Sequence, residues 1–138
     1  MLDYKVHISK DSMFNTPAVF PVYVSMLTLS WLKEQGGINA IEKLNTQKAA
    51  LLYTEIDRNT LFTGFVANKE DRSKMNATFS LLDDSHTAVF DDLWQQAGIN
   101  GLNGHRSVGG YRASMYNALS IESVQVLVDV MQQLENKV

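Results

Sequence analysis

Residues 22–32 carry Val22, Tyr23, Val24, Met26, Leu27, Leu29, Trp31 and Leu32, more apolar side chains than a helix can confine to one stripe. A helix apolar on several faces must be buried nearly all round, and a chain of 138 residues has little spare surface with which to do that. A partner surface is therefore expected for this segment. Its start is marked by Thr16-Pro17, a hydroxyl cap followed by proline at the first helical position, with Pro21 limiting the regularity of the first turn. Its end is marked by Gly36-Gly37. Residues 1–14 have no clear helical period and read as a short strand or an arm, an odd beginning for a self-contained domain and one expected of a piece of something longer.

Downstream the pattern is that of a mixed domain. A second helix runs to about Arg58, with Ile41, Leu44, Leu51, Leu52 and Ile56 inward and Glu42, Lys43, Lys48 and Glu55 outward. Residues 61–66 read as a short strand and residues 67–73 as a charged loop. Met75, Ala77, Phe79 and Leu81 alternate with Asn76, Thr78 and Ser80, the signature of a strand with one core face. Asp83-Asp84-Ser85 reads as the cap of a third helix with Val89, Phe90, Leu93, Trp94 and Ala97 inward and Gly98 as its stop. Residues 112–117 read as a strand, with Arg112, Ser114 and Tyr116 on one face. Ser120 caps a last helix over residues 121–135, burying Val124, Leu127, Val128, Met131 and Leu134. This order predicts an α+β fold: a small, mostly antiparallel sheet covered by helices.

Composition narrows the function. With no cysteine there is neither a disulfide nor a thiolate metal site, and His7, His86 and His105 have no metal-ligand spacing, so no metal is expected. No apolar run approaches the roughly 20 residues a bilayer requires, and the N-terminus lacks the apolar core of a signal peptide, so the expected location is the cytoplasm, away from membranes. A net charge of −3 argues against a general nucleic-acid binder. Against that acidic background, residues 104–114 stand out: Arg106, Arg112 and His105 lie among Gly104, Gly109 and Gly110. Glycine permits positive φ and a close backbone approach, and the arginine fork matches a carboxylate or phosphate two oxygens at a time. His105 adds a pH-dependent donor. Two arginines six residues apart across a Gly-Gly bend suit a small ligand with two anionic ends. The segment fits neither G-x-G-x-x-G nor the Walker A pattern, so its spacing supports anion binding and nothing sharper; a stand-alone anion-binding or regulatory module satisfies it equally.

Four blocks taken together carry more. SMFNTP (residues 12–17), WLKEQGG (31–37), RSKMN (72–76) and GHRSVGGYRASMYNAL (104–119) resemble phosphoserine aminotransferase, in that family's order and near its spacing. The resemblance covers the chain from about Asp11 to Glu135. It implies a pyridoxal 5'-phosphate enzyme of aminotransferase fold type I, acting as a homodimer in serine and pyridoxine biosynthesis. That enzyme converts 3-phosphohydroxypyruvate and L-glutamate into O-phospho-L-serine and 2-oxoglutarate.

The same resemblance implies that the chain is the family's C-terminal part, with residues 1–15 an arm or linker from a large domain and residues 16–138 the small domain. The family's Schiff-base lysine and the other ring-binding residues match no position here, and Lys5 and Lys10 lie beyond the place of that lysine. No catalytic residue is assigned, and the chain alone is expected to be inactive. Asn15 and Thr16 match the pair that reaches the cofactor phosphate of the neighbouring subunit. His105 and Arg106 match residues that bind the substrate's distal anion, and Arg112 matches the arginine on the α-carboxylate.

Overall fold

The computed structural model describes residues 3–138, which fall into two compact units divided between Ile38 and Asn39. In the first unit, α1 (Tyr4–Ile8) stands where the sequence suggested a short strand. Asp3 decides this locally: its carboxylate accepts the Lys5 N–H at 2.9 Å and caps a single turn that the weak alternation of the sequence concealed. The turn ends at Asp11 and Ser12, both in the left-handed region at φ 49° and 62°, and the Ser12 N–H closes on the His7 carbonyl at 2.8 Å.

Helix α2 (Val19–Glu34) begins two residues after Pro17, not at it, and Thr16 caps nothing. Pro21 accounts for the shift. In a helix starting at Pro17, Pro21 would have to donate to the Pro17 carbonyl; it has no N–H, and its ring would meet that oxygen. Starting at Val19 places Pro21 in the first turn, where no donor is needed. The helix is apolar on several sides and largely exposed, with Phe20 at 74% and Leu29 at 65% of full exposure and Trp31 and Leu32 half-buried near its end.

The second unit is built on α3 (Gly37–Arg58), followed by β1 (Phe62–Gly64), β2 (Asn76–Leu81), α4 (Thr87–Gln96), β3 (Tyr111–Ser114) and α5 (Ile121–Glu135). The strands form an antiparallel sheet in the order β1-β2-β3, with Phe62 opposite Leu81 and Phe79 opposite Tyr111. Ala77, Phe79 and Leu81 are buried in a core shared with Leu52 and Ile56 of α3, Phe90 and Trp94 of α4, and Leu127 and Met131 of α5. Phe62, Phe79, Phe90 and Tyr111 form its aromatic centre, with ring centroids 4.9 to 5.8 Å apart. The α+β class and the helix-covered antiparallel sheet are as expected.

The helical faces hold corrections. Lys48 and Glu55 do not point outward: both are buried. They lie on the same face as Ile41, Asn45, Leu52 and Ile56, at helical spacing, and geometry overrides their charge because partners meet them. Glu55 accepts from Arg58, Asn59 and Gln132 at 2.7 to 3.0 Å, and Arg58 also reaches Glu135 at 2.9 Å, so α3 is tied to α5. On α4, Val89 and Ala97 are exposed, and only Phe90, Leu93 and Trp94 of the expected set are buried. Asp83 caps a separate 3-10 turn, Asp84–His86, which leads into α4.

Candidate functional site

The glycine-rich segment folds back on itself. The Gly104 N–H donates to the Gly110 carbonyl at 2.8 Å, Asn103 bridges Tyr111, and the Arg112 N–H donates to Leu102 at 2.7 Å, so residues 102–104 run beside residues 110–112. The His105 carbonyl takes the N–H groups of Val108 and Gly109 and tightens the tip. Glycine is required at both ends of this closure. A Cβ on Gly104 would collide with the carbonyl oxygens of Gly109 and Gly110; one on Gly110, at φ 60°, would sit 2.7 Å from the Phe79 carbonyl and 2.9 Å from the Phe65 ring.

Tyr111 anchors the returning strand. Its ring stacks on Phe79 at 5.5 Å and meets Phe90 edge-on, and its hydroxyl donates to Asp91 at 2.9 Å, an oxygen that also accepts the Trp94 indole N–H. Burial, and then the bond to Asp91, push that hydroxyl above its ordinary pKa, so it stays a donor. With Tyr111 locked inward, strand alternation sends Arg112 outward.

The predicted residues fall into three places. His105 and Arg106 share the exposed tip, where His105 Nδ1 lies 2.7 Å from Ser107 Oγ and accepts the Ser107 N–H at 3.3 Å, leaving Nε2 as the outward donor. Arg112 stands at the stem, on the rim of a cleft of about 310 Å³ that Asn100, Ser114 and Ser123 also line over a floor of Leu102 and Leu127. Neither His105 nor Arg106 lines that cleft. Asn15 and Thr16 lie in the first unit, exposed and without side-chain hydrogen bonds among the described residues. The charged groups fit two anions approached from different positions on one loop. Neither guanidinium has a carboxylate partner among the described residues, unlike Arg58 and Arg72.

Comparison with known proteins gives this arrangement a family. The model of the class-V aminotransferases matches residues 1–127. The chain belongs to the class-V aminotransferase family. Among curated relatives, the phosphoserine aminotransferases of Flavobacterium psychrophilum and Flavobacterium johnsoniae are each 69% identical to it over all 138 residues. The chain spans 38% of the length of each. Two solved structures agree: a phosphoserine aminotransferase studied for radiation damage of its Schiff base, with a TM-score of 0.88 at 42% identity over 99% of this chain and 38% of that one, and a pyridoxal-phosphate-bound phosphoserine aminotransferase from Trichomonas vaginalis, with a TM-score of 0.82 at 37% identity over 94% and 37%. The fold matches the C-terminal domain of those enzymes, and nothing supports the stand-alone anion module. No helix among the described residues is long and apolar enough to cross a membrane.

Sequence reasoning missed two residues around the site. Tyr111 was visible only as a polar-tipped aromatic beside the loop; its partner Asp91 is 20 residues away. Lys48 reaches the chain just beyond Arg112, and its place on the apolar side of α3 was the signal.

Proposed function

We propose that the chain is the C-terminal part of a phosphoserine aminotransferase, with residues 1–15 an arm from the large domain and residues 16–138 continuing into the small domain. The whole enzyme, a cytoplasmic homodimer, transfers an amino group between L-glutamate and 3-phosphohydroxypyruvate, giving O-phospho-L-serine and 2-oxoglutarate. The observation that carries this is the pair of unpaired arginines on a glycine-closed loop, in a chain 69% identical to proteins named for that reaction.

The cofactor of the whole enzyme is pyridoxal 5'-phosphate, which, when bound, supplies the electron sink for bond breaking at the substrate's Cα. Asn15 and Thr16 fit its phosphate. They are neutral amide and hydroxyl donors, both exposed, and the Thr16 hydroxyl is not engaged as a helix cap. They serve the neighbouring subunit's cofactor, which makes the dimer part of the site. The apolar surface of α2 supports the same reading, since its exposure calls for a covering partner.

Arg112 holds the α-carboxylate through its fork and so fixes how Cα is turned. Arg106 gives the distal anion, phosphate or side-chain carboxylate, a permanent positive charge, and His105 Nε2 adds a directional donor. No residue of this chain is assigned the proton transfer at Cα. Lys48 is buried and bound to three carbonyls, and the cofactor-bearing lysine belongs to the large domain.

Assay of O-phosphoserine formation tests the proposal. The chain alone, given pyridoxal phosphate, L-glutamate and 3-phosphohydroxypyruvate, should form none, and the complete enzyme should form it readily. A complete enzyme that aminates another oxo acid and leaves 3-phosphohydroxypyruvate untouched overturns it.

A further inference from the structure

Lys48 is the lysine that the fold removes entirely from water, and no carboxylate among the described residues meets it there. Its Nζ donates to the backbone carbonyls of Met115 at 3.2 Å, Tyr116 at 2.8 Å and Leu119 at 3.0 Å. An ammonium has three N–H bonds, so these carbonyls use every donor it has. All three belong to residues 115–119, the turn by which the chain leaves β3 and enters α5. One helical turn earlier on the same face of α3, Asn45 Nδ2 donates to Asn117 Oδ1 at 2.8 Å, so α3 grips this turn at two places.

Packing alone does not call for a charge here. A methionine has nearly the same length and would fill the space without the penalty of burying an ammonium, a penalty visible in the lowering of the Lys48 pKa by burial. What methionine lacks is the capacity to draw three carbonyls toward one point. Carbonyls of residues i, i+1 and i+4 converge only if the backbone between them takes one path. Met115, where that path begins, donates its N–H to the Met75 carbonyl at 2.7 Å and so extends the pairing of β2 with β3. Arg112 lies three residues upstream, on the exposed face of the same strand.

We infer that Lys48 is a positioning residue for Arg112: by gathering the carbonyls of Met115, Tyr116 and Leu119 it fixes the end of β3 and the direction in which the strand presents the arginine. The inference rests on the anion-holding role proposed for Arg112, and the two fail in different measurements. Lys48 touches no ligand itself.

The test uses the 138-residue chain, isotope-labelled, with O-phosphoserine as the probe. In Lys48→Met, the amides of Arg112, Met115 and Leu119, hydrogen-bonded to Leu102, Met75 and Tyr116, should lose protection from exchange by roughly tenfold or more, while amides of α4 keep theirs. Affinity for O-phosphoserine, followed at the Arg112 guanidinium, should fall about tenfold with the loss of preorganisation. Asn45→Ala, which removes only the neighbouring bond, should shift both readouts in the same direction by less. A folded Lys48→Met chain with wild-type exchange at residues 112–119 and wild-type affinity overturns the inference, as does a loss of protection spread evenly over α4 and α5. Should Lys48→Met fail to fold, unchanged readouts in Asn45→Ala overturn it. Affinity of the wild-type chain that survives Arg112→Ala removes the role of Arg112 and the inference's bearing on the ligand, while the exchange result still judges the clamp.

Discussion

Two of the four arginines face acids and two do not. Arg72 forms a bidentate pair with Asp57 at 2.8 and 2.9 Å, donates to the Val66 carbonyl at 3.1 Å and lies 4.8 Å from the centre of the Tyr53 ring; Arg58 is held by Glu55 and Glu135. Arg106 and Arg112 have no such neighbours among the described residues. Between Asp92 and Glu122 the chain contains no aspartate or glutamate, and this stretch holds both arginines and His105. An arginine surrounded by carboxylates is already satisfied and stiffens the fold; one kept away from them keeps its fork for an anion that arrives from outside. Arg58 and Arg72 thus build the molecule, while Arg106 and Arg112 are left available to an anion.

The widest gap between the two groups should appear on conservative replacement at the loop. In the complete enzyme, Arg112→Lys should lower kcat/KM roughly tenfold to a hundredfold, because lysine keeps the charge and loses the fork, a contact worth about 1.5 to 3 kcal/mol. The urea stability of the chain should change by no more than about 0.5 kcal/mol. Arg72→Met should do the reverse, removing about 1 to 3 kcal/mol of stability in urea denaturation and leaving O-phosphoserine affinity as it was. An Arg72 variant that binds poorly and unfolds normally breaks the comparison.

Acid sharpens it further. The hydrogen bond from Arg72, with help from Lys69, holds the Asp57 carboxyl at about 2, below its ordinary 3.8. Between those values the unfolded chain binds the proton that the folded chain refuses. The contribution of the pair is therefore complete above the ordinary value and is lost as pH falls toward 2. Unfolding curves of the wild type and Asp57→Asn should converge over that window. A gap that persists unchanged below pH 2 would mean that the asparagine is misfit for some reason other than charge.

How much of this was legible in the chain depended on whether a signal was local. The alternation in β2, the Ser120 cap of α5 and the glycine closure of the loop are written within a few residues, and each is realised in the structure. Ser120 Oγ accepts the Ser123 N–H at 3.2 Å, and Gly109 and Gly110 stand at φ 78° and 60°. The charges of Lys48 and Glu55 suggest an outward face that their spacing contradicts; the carbonyls that meet Lys48 lie far along the chain at 115–119, and Glu55 adds the distant Gln132 to its local partners Arg58 and Asn59. The expected start of α2 at Pro17 gives Pro21 too little weight: it reads as loosening the first turn, whereas a helix from Pro17 would need the N–H that Pro21 lacks. The roles of the loop came from resemblance to a family, since a glycine-arginine turn specifies an anion and not its name.

The smallest of the expected effects belongs to His105. Its Nδ1 is engaged with Ser107, so only Nε2 meets a ligand, and His105→Ala should weaken O-phosphoserine by a few-fold, about one neutral hydrogen bond. An unchanged affinity would mean that the ring acts only by holding Ser107.

The central claim is that Arg112 and Arg106 hold opposite ends of one substrate. It is tested most directly by measuring kcat/KM of the complete enzyme and of its Arg112→Lys and Arg106→Ala variants with O-phosphoserine, L-glutamate and an uncharged amino acid of similar size. Arg112→Lys should reduce all three alike, since each carries an α-carboxylate. Arg106→Ala should reduce O-phosphoserine most, glutamate less and the uncharged amino acid hardly at all, in the order of distal charge near neutral pH. If Arg112→Lys proves selective for O-phosphoserine, or Arg106→Ala reduces the uncharged amino acid as much as the others, the two arginines do not divide the substrate in this way.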